Sequence, residues 1–301
     1  MTLPAKLRRS PAVKKAVQGV GVTTGLLTSH WRMTPDFLII GGQRCGTTSM
    51  YRTLSQHPSV LKAVRHKGVH YFDTDYDKGM AWYRAHFPLE RTAAALERRT
   101  GVRTQTFESS PYYMFHPLAA ERIARDLPEV KVLVLLRDPV ERAYSAHAHE
   151  LARGYEDQDF ETALALEDSR LDGEAERLIA DPTYRSHAHQ HHGYLQRGRY
   201  VEHLERLEKV FGRDRMLVVD SHEFFTDPEP VHDAVLGFLG LPNTGYPVFE
   251  QHNARPRSPM QPQLRARLED HFAPYDERLA DWLGHPVSWR PDVVRQEQGP
   301  S

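Results

Sequence analysis

Two stretches of the chain carry side chains whose types and spacing suit the binding of anions. The first is Gly41-Gly42-Gln43-Arg44-Cys45-Gly46-Thr47-Thr48-Ser49, which follows the apolar run Phe37-Leu38-Ile39-Ile40. Its glycines permit a tight turn that points consecutive backbone N–H groups into one concavity, and a helix opening at Thr47 adds its positive end. The Arg44 guanidinium and the hydroxyls of Thr47, Thr48 and Ser49 complete a phosphate-binding loop. The second stretch is Arg137-Asp138-Pro139-Val140-Glu141-Arg142-Ala143-Tyr144-Ser145, directly after Lys131–Leu136. Arg137 stands at the end of a strand, and Ser145 lies about two helical turns past Asp138 on the same face. Arg and Ser can therefore converge on a second phosphate, away from the first loop.

The spacing Gly41-x4-Gly46 approaches a Walker A loop, but Thr47 stands where that motif has its Lys. The cation is Arg44, two places upstream of the second glycine. In nucleoside triphosphatases the missing Lys reaches the terminal phosphates. A magnesium-dependent phosphoryl transferase also wants an acidic metal ligand in the second stretch. Here Arg137 comes first, and Asp138 is explained as a helix cap. The pattern favours a ligand with two separate anionic ends and no required metal. A P-loop nucleotide kinase is the alternative.

The elements that must hold these stretches alternate between strand and helix. Phe37 to Gly41 reads as a short buried strand and Thr47 to Gln56 as the helix after it, ending before His57-Pro58. Val102 to Glu108 is a second strand and Pro117 to Leu127 a helix. Lys131 to Leu136 is the strongest strand, with a helix from Pro139 to Arg153 stopped by Gly154. Tyr200 to Phe211, Arg215 to Asp220 and a helix between Gln263 and Leu283 complete the pattern. This order predicts a P-loop-like, three-layer α/β/α fold around a central parallel sheet. Ligands in such sheets sit beyond the carboxyl ends of the strands, where both anion stretches lie.

The 301 residues are 40% hydrophobic and 26% charged, ordinary globular usage. A formal net charge of -1 argues against a surface devoted to nucleic acid. One cysteine, Cys45, excludes an internal disulfide framework and a multi-cysteine zinc site. The residues before Asp36 are basic (Lys6, Arg8, Arg9, Lys14, Lys15), and Ala16 to Ser29 is too polar for a membrane span or a signal peptide. We therefore expect a basic arm over 1–34, one domain over 35–290 and a tail over 291–301. The default location is the cytoplasm, with the arm as a means of peripheral contact with a membrane.

Together the two stretches resemble the motifs of sulfotransferases that use 3′-phosphoadenosine-5′-phosphosulfate (PAPS). Arg44-Cys45-Gly46-Thr47-Thr48 is similar to the family's [KR]-x-G-T-[TR] loop for the 5′-phosphosulfate. Arg137-Asp138-Pro139 with Arg142 and Ser145 is similar to its R-D-P-x-x-R-x-x-S segment for the 3′-phosphate. Further likenesses are Lys67-Gly68-Val69-His70-Tyr71-Phe72-Asp73, Glu108-Ser109-Ser110-Pro111-Tyr112-Tyr113 and Gly198-Arg199-Tyr200. The first of these looks like the K-E-x-H-F-F-D segment of the Golgi-type heparan and related carbohydrate sulfotransferases. The chain has the character of a bacterial soluble relative of that branch.

The resemblance implies transfer of a sulfuryl group from PAPS to a hydroxyl or amine of a small-molecule or glycan acceptor. Arg44 and the Gly46–Thr48 loop would neutralise the leaving phosphate, with Cys45 and Ser49 in the same loop. Arg137 and Ser145 would anchor the 3′-phosphate, Arg142 would add positive charge beside them, and Tyr200 would join the cofactor set. Arg255 and Arg257 lie where relatives carry a basic loop that closes over the cofactor. Gly68 stands where the heparan 3-O type has its general-base Glu, so proton removal falls to His70 or Glu108, with Asp73 at a further active-site position. An imidazole that titrates near the operating pH favours His70. Ser109 replaces a Lys of the heparan type, which removes a cation that a polyanionic acceptor would use. With no base at position 68, a non-catalytic nucleotide- or glycan-binding relative is a further alternative.

Three features have weaker readings. Alternation would put His187, His189 and His191 on one side of an extended strand, as a polar surface or acceptor-cleft segment rather than a zinc site. Cys45 is read as a position that wants a small side chain, the alternative being a thiol whose pKa a helix N-terminus lowers. Tyr71, Phe72, Tyr112 and Tyr113 could wall an acceptor cleft, with half of the set plain core.

Overall fold

Lys131–Leu136 occupies an interior place in the sheet because Val132 to Leu136 carry no polar side chain and can be covered on both faces. A computed structural model describes residues 25–64, 66–252 and 258–290 of the chain. The first strand β1 (Phe37–Gly41) runs through the glycine-rich loop into α1 (Thr47–Leu54) and on to a short edge strand β2 (Val60–Lys62). Helices α2 (Gly79–Arg84) and α3 (Glu90–Thr100) precede β3 (Gln105–Ser109), and α4 (Ala119–Asp126) leads to β4 (Lys131–Leu136). Then come α5 (Pro139–Arg153), α6 (Phe160–Leu171), α7 (Glu174–Ala180), α8 (His187–His191) and α9 (Tyr200–Phe211). The last elements are β5 (Met216–Asp220), α10 (Ser221–Thr226), α11 (Pro228–Leu239) and α12 (Pro262–Leu283).

The sheet is parallel in order β2-β3-β1-β4-β5. Helices cover it on both faces, the expected three-layer arrangement. β1 lies between β3 and β4, in register Phe37↔Phe107 and Phe37↔Lys131. All five residues of β1 and of β3 are buried. Each fully buried Val, Leu, Ile or Phe contributes roughly 1.5–3 kcal/mol of transfer free energy, so these strands are rigid mounts for whatever follows them. α1 packs against β1 and β3, whereas α9 packs on α4 and α12. A second cluster joins Val140 and Ala143 of α5 to Phe160, Tyr194, Leu268 and Phe272.

Local punctuation accounts for the helix ends. The Asp138 carboxylate accepts from the N–H of Val140 at 2.8 Å, Pro139 needs no donor partner, and Gly154 closes α5 with φ 73°. Several ends differ from expectation: α1 stops at Leu54, β3 starts at Gln105 and α4 starts at Ala119. β2 has three residues and owes its existence to pairing with β3 rather than to a pattern of its own. The histidine run is helical, not extended, so His187 and His191 share one side and His189 points away from them. The basic arm up to residue 24 and the tail from 291 lie outside the described residues. Among the described residues no helix is long and apolar enough to cross a membrane.

Candidate active site

The loops after β1 and β4 open into one cavity of about 800 Å3 at the carboxyl end of the sheet. Gly46 caps α1 with φ 89°, a conformation that costs an L side chain but not glycine, and this turns the loop so that Thr47 and Thr48 begin the helix at the cavity wall. Arg44 is held at φ 70°. A non-glycine residue held there costs of order 1–3 kcal/mol, a strain typical of functional loops. The Arg44 Nε donates to Ser145 Oγ at 3.1 Å, so the two anion stretches meet across the cavity. Arg137, half-buried, lines the same space and donates to Glu141 at 3.4 Å. The cavity thus has cations at two places, Arg44 in one loop and Arg137 in the other. That disposition fits a ligand with two anionic ends.

His70 faces this cavity from the irregular segment between β2 and α2. Its backbone is left-handed, φ 58°, and its carbonyl is held by the N–H groups of Thr74 and Asp75 at 3.2 and 3.0 Å. Its Nδ1 lies 2.8 Å from Asp73 Oδ2, and the Asp73 side chain is inaccessible to solvent. A proton on Nδ1 that serves Asp73 leaves Nε2 as the reactive nitrogen. Burial pulls the His70 pKa down, but the hydrogen bond and charge of Asp73, with Glu108 and Asp75 behind, outweigh it and raise the value. Asp73 Oδ1 accepts in turn from the Thr74 N–H and hydroxyl. The pair has the form of an oriented general base.

A family model for the sulfotransferase domain matches residues 34–256. The chain belongs to the sulfotransferase domain family. Bifunctional heparan sulfate N-deacetylase/N-sulfotransferase 1 of Caenorhabditis elegans is 31% identical over 224 residues, which are 73% of this chain and 24% of that protein. The human N-deacetylase/N-sulfotransferase 3 is 30% identical over 296 residues, 87% of this chain and 31% of that protein. The chain therefore spans about a quarter to a third of the length of these relatives. A crystal structure of a sulfotransferase from Alicyclobacillus acidocaldarius is 31% identical with a TM-score of 0.63, covering 86% of this chain and 99% of that one. The kinase alternative finds no support among these relatives.

Several expected members of the sulfotransferase site sit elsewhere. Glu108 does not open onto the cleft: it is fully buried, accepts from the Val69 N–H at 2.7 Å and the Ser110 hydroxyl at 2.6 Å, and takes Tyr83 and Tyr113 on its other oxygen. Burial raises its pKa against these hydrogen bonds. It is a strut that fixes the segment carrying His70. Arg142 is also fully buried and donates to the Tyr194 carbonyl, so its charge does not line the cavity. Tyr200 is buried and donates to the Arg137 carbonyl at 2.9 Å, holding that turn from behind. Ser49 is buried in α1, and its hydroxyl accepts from the His252 N–H at 2.9 Å. Cys45 is buried, and burial pushes its thiol pKa up, so the helix N-terminus does not activate it. Of the aromatic set only Tyr112 lines the cavity; Tyr71, Phe72 and Tyr113 belong to the core.

His189 is core as well, with Nδ1 2.7 Å from the Tyr112 hydroxyl and its pKa lowered to about 2 by burial and nearby Arg197. His191 does reach the cavity, 3.0 Å from Glu150, whose other oxygen receives Gln43 of the first loop at 3.4 Å. Arg255 and Arg257 lie outside the described residues.

Two features escaped sequence reasoning. A Cβ at Gly68 would stand 2.7 Å from the Ser109 carbonyl oxygen and 3.0 Å from Ser110 Oγ, so the missing Glu reflects a backbone crossing that leaves no room for a side chain. Lys67, at the head of the Lys67–Asp73 segment, places Nζ 3.2 and 3.0 Å from the Thr47 and Thr48 hydroxyls. Its distance of three residues from His70 was the available signal.

Proposed function

We propose that the chain transfers a sulfuryl group from PAPS to a hydroxyl or amine of a carbohydrate. The observation that carries this is the meeting of two cationic anion sites, at Arg44–Thr48 and at Arg137–Ser145, in one cavity faced by the His70–Asp73 pair. The carbohydrate is suggested by the heparan sulfate enzymes to which the chain is similar.

When bound, PAPS supplies an activated sulfuryl group on a phosphate that leaves readily. The first loop holds the phosphosulfate end through Arg44, the backbone N–H groups of the turn, and the Thr47 and Thr48 hydroxyls. Arg137 and Ser145 hold the 3′-phosphate and so set the register of the ligand. His70 accepts the acceptor's proton at Nε2, while Asp73 keeps the ring oriented and stabilises the imidazolium. Exposed Arg153 and half-buried Gln190 and His191 line the cavity wall and are the groups available to orient a polar acceptor. The soluble-protein reading extends to the cytoplasm as the working location, with the basic residues before Asp36 as a peripheral membrane contact.

Thermal shift tests the core of the proposal. Adenosine 3′,5′-bisphosphate should raise Tm without magnesium, while ATP with magnesium should not. Turnover of PAPS should then depend on an added amino-sugar oligosaccharide. Stabilisation by magnesium ATP alone would sink the proposal, and bisphosphate binding without turnover of any acceptor would leave a binding protein.

A further inference from the structure

The loop after β1 has no lysine, yet a lysine ammonium stands at it. Lys67 reaches across from the segment between β2 and α2 and donates to both hydroxyls of the first helical turn, Thr47 at 3.2 Å and Thr48 at 3.0 Å. Arg44, the cation the loop itself carries, sends its Nε toward Ser145 in the other anion site. Among the described residues no carboxylate forms an ion pair with Lys67, although the side chain is half-buried. A desolvated ammonium whose partners are neutral hydroxyls has its charge uncompensated, and it is stabilised by an incoming anion.

We propose that Lys67 is a catalytic residue of the sulfuryl transfer, supplying from a different segment the cation that phosphate-binding loops of this shape usually carry within themselves. This rests on the PAPS reading above. As the acceptor oxygen or nitrogen bonds to sulfur, the bond from sulfur to the 5′-phosphate oxygen breaks and its electron pair stays on that oxygen. The Lys67 ammonium lies at the loop where this charge develops and neutralises it, and the acceptor's proton passes to His70. The segment 67–73 then carries both the group that stabilises the leaving phosphate and the group that activates the acceptor.

The protonation of Lys67 gives a readout independent of turnover. Burial, then the charge of Arg44, lower its pKa to about 7. Arg44, from the loop after β1, is the charged group acting on it, and His70, three residues along the same segment as Lys67, shares the cavity. At pH 8 the free side chain is therefore mostly neutral, and a bound phosphate, already fully ionised, draws a proton onto it. Calorimetry of adenosine 3′,5′-bisphosphate binding at pH 8, in two buffers of different ionisation enthalpy, should show proton uptake by the wild type. Lys67→Arg, charged at every pH, should bind within about tenfold of wild type with that uptake lost. Lys67→Met should also lose it, with affinity down about 10- to 100-fold and kcat down roughly 10²–10³-fold. Unchanged proton uptake in both variants, or kcat within twofold of wild type in Lys67→Met, overturns the assignment while the PAPS reading stands. If the wild type itself fails to bind the bisphosphate, the PAPS reading falls and this assignment with it.

Discussion

The loops after β1 and β4 hang from strands buried on both faces, whereas residues 66–75, which carry His70, have no regular structure of their own. The two regions are made rigid by different means. In the loops, local features of the chain do the work: a left-handed Gly46, the Asp138 side chain capping its own helix, and helices whose first turns face the cavity. In the 66–75 segment, buried polar side chains do it. Glu108 takes the Val69 N–H and the Ser110 hydroxyl, and Ser110 in turn receives the His70 N–H at 3.1 Å. The Tyr113 hydroxyl receives the Tyr71 N–H at 2.9 Å, and Arg122 donates to the carbonyls of Phe72 and Asp73. The difference teaches that the Arg137–Ser145 turn and the His70–Asp73 pair are held by different means, and on the proposed roles changes at these two places should fail separately, with Lys67 the point where the two regions meet.

The largest expected effect is on turnover. His70→Ala should lower kcat by roughly 10²–10⁴-fold while affinity for adenosine 3′,5′-bisphosphate stays within about twofold. A parallel loss of affinity in that titration would break the separation. Arg137→Ala should do the reverse, weakening bisphosphate affinity by about 10- to 100-fold, as expected for lost charge-assisted hydrogen bonds, with a smaller change in kcat. Asp73→Asn sharpens the comparison through pH. A base at His70 works only when neutral, so on the proposed role activity should fall as pH drops through its raised pKa. Removing the Asp73 charge lowers that pKa and moves the acid limb of the kcat profile to lower pH, with kcat down about tenfold from lost orientation. An unmoved limb would show that another group titrates.

Smaller effects probe the mounts. Gly68→Ala should cost about 1–3 kcal/mol in a denaturant melt, because its methyl group meets the Ser109 carbonyl, and should restore no activity. Equal stability would mean that the segment can shift and that its side-chain struts are not what hold it. The smallest effect concerns Cys45 in the binding loop. Its buried, pKa-raised thiol should resist iodoacetamide in the native protein at pH 7.5 and react fully in denaturant, as mass spectrometry would read.

Both anion stretches, the parallel α/β class and the ends of Lys131–Leu136, Pro139–Arg153 and Tyr200–Phe211 could be read from the chain alone. The reason is that strands covered on both faces, helix caps and phosphate-binding turns are written in contiguous residues. A glycine stop or an Asp-Pro start acts on its immediate neighbours, so its meaning does not depend on the rest of the molecule. Three residues at Val60–Lys62 carry no comparable pattern, and the histidine run is short enough to suit either period, so their states depend on tertiary partners.

The same distinction governs the site. Residue types and order determined that the chain would present two stretches suited to anions, with a His and an Asp three residues apart. Tertiary structure alone decided that Arg142 and Glu108, which look equally available in sequence, are enclosed by Tyr194 on one side and by Val69, Tyr83 and Tyr113 on the other. It also decided that Lys67 lies over Thr47 and Thr48. Burial and the approach of charges are sums over segments distant in the chain, and only the packed fold sets their terms.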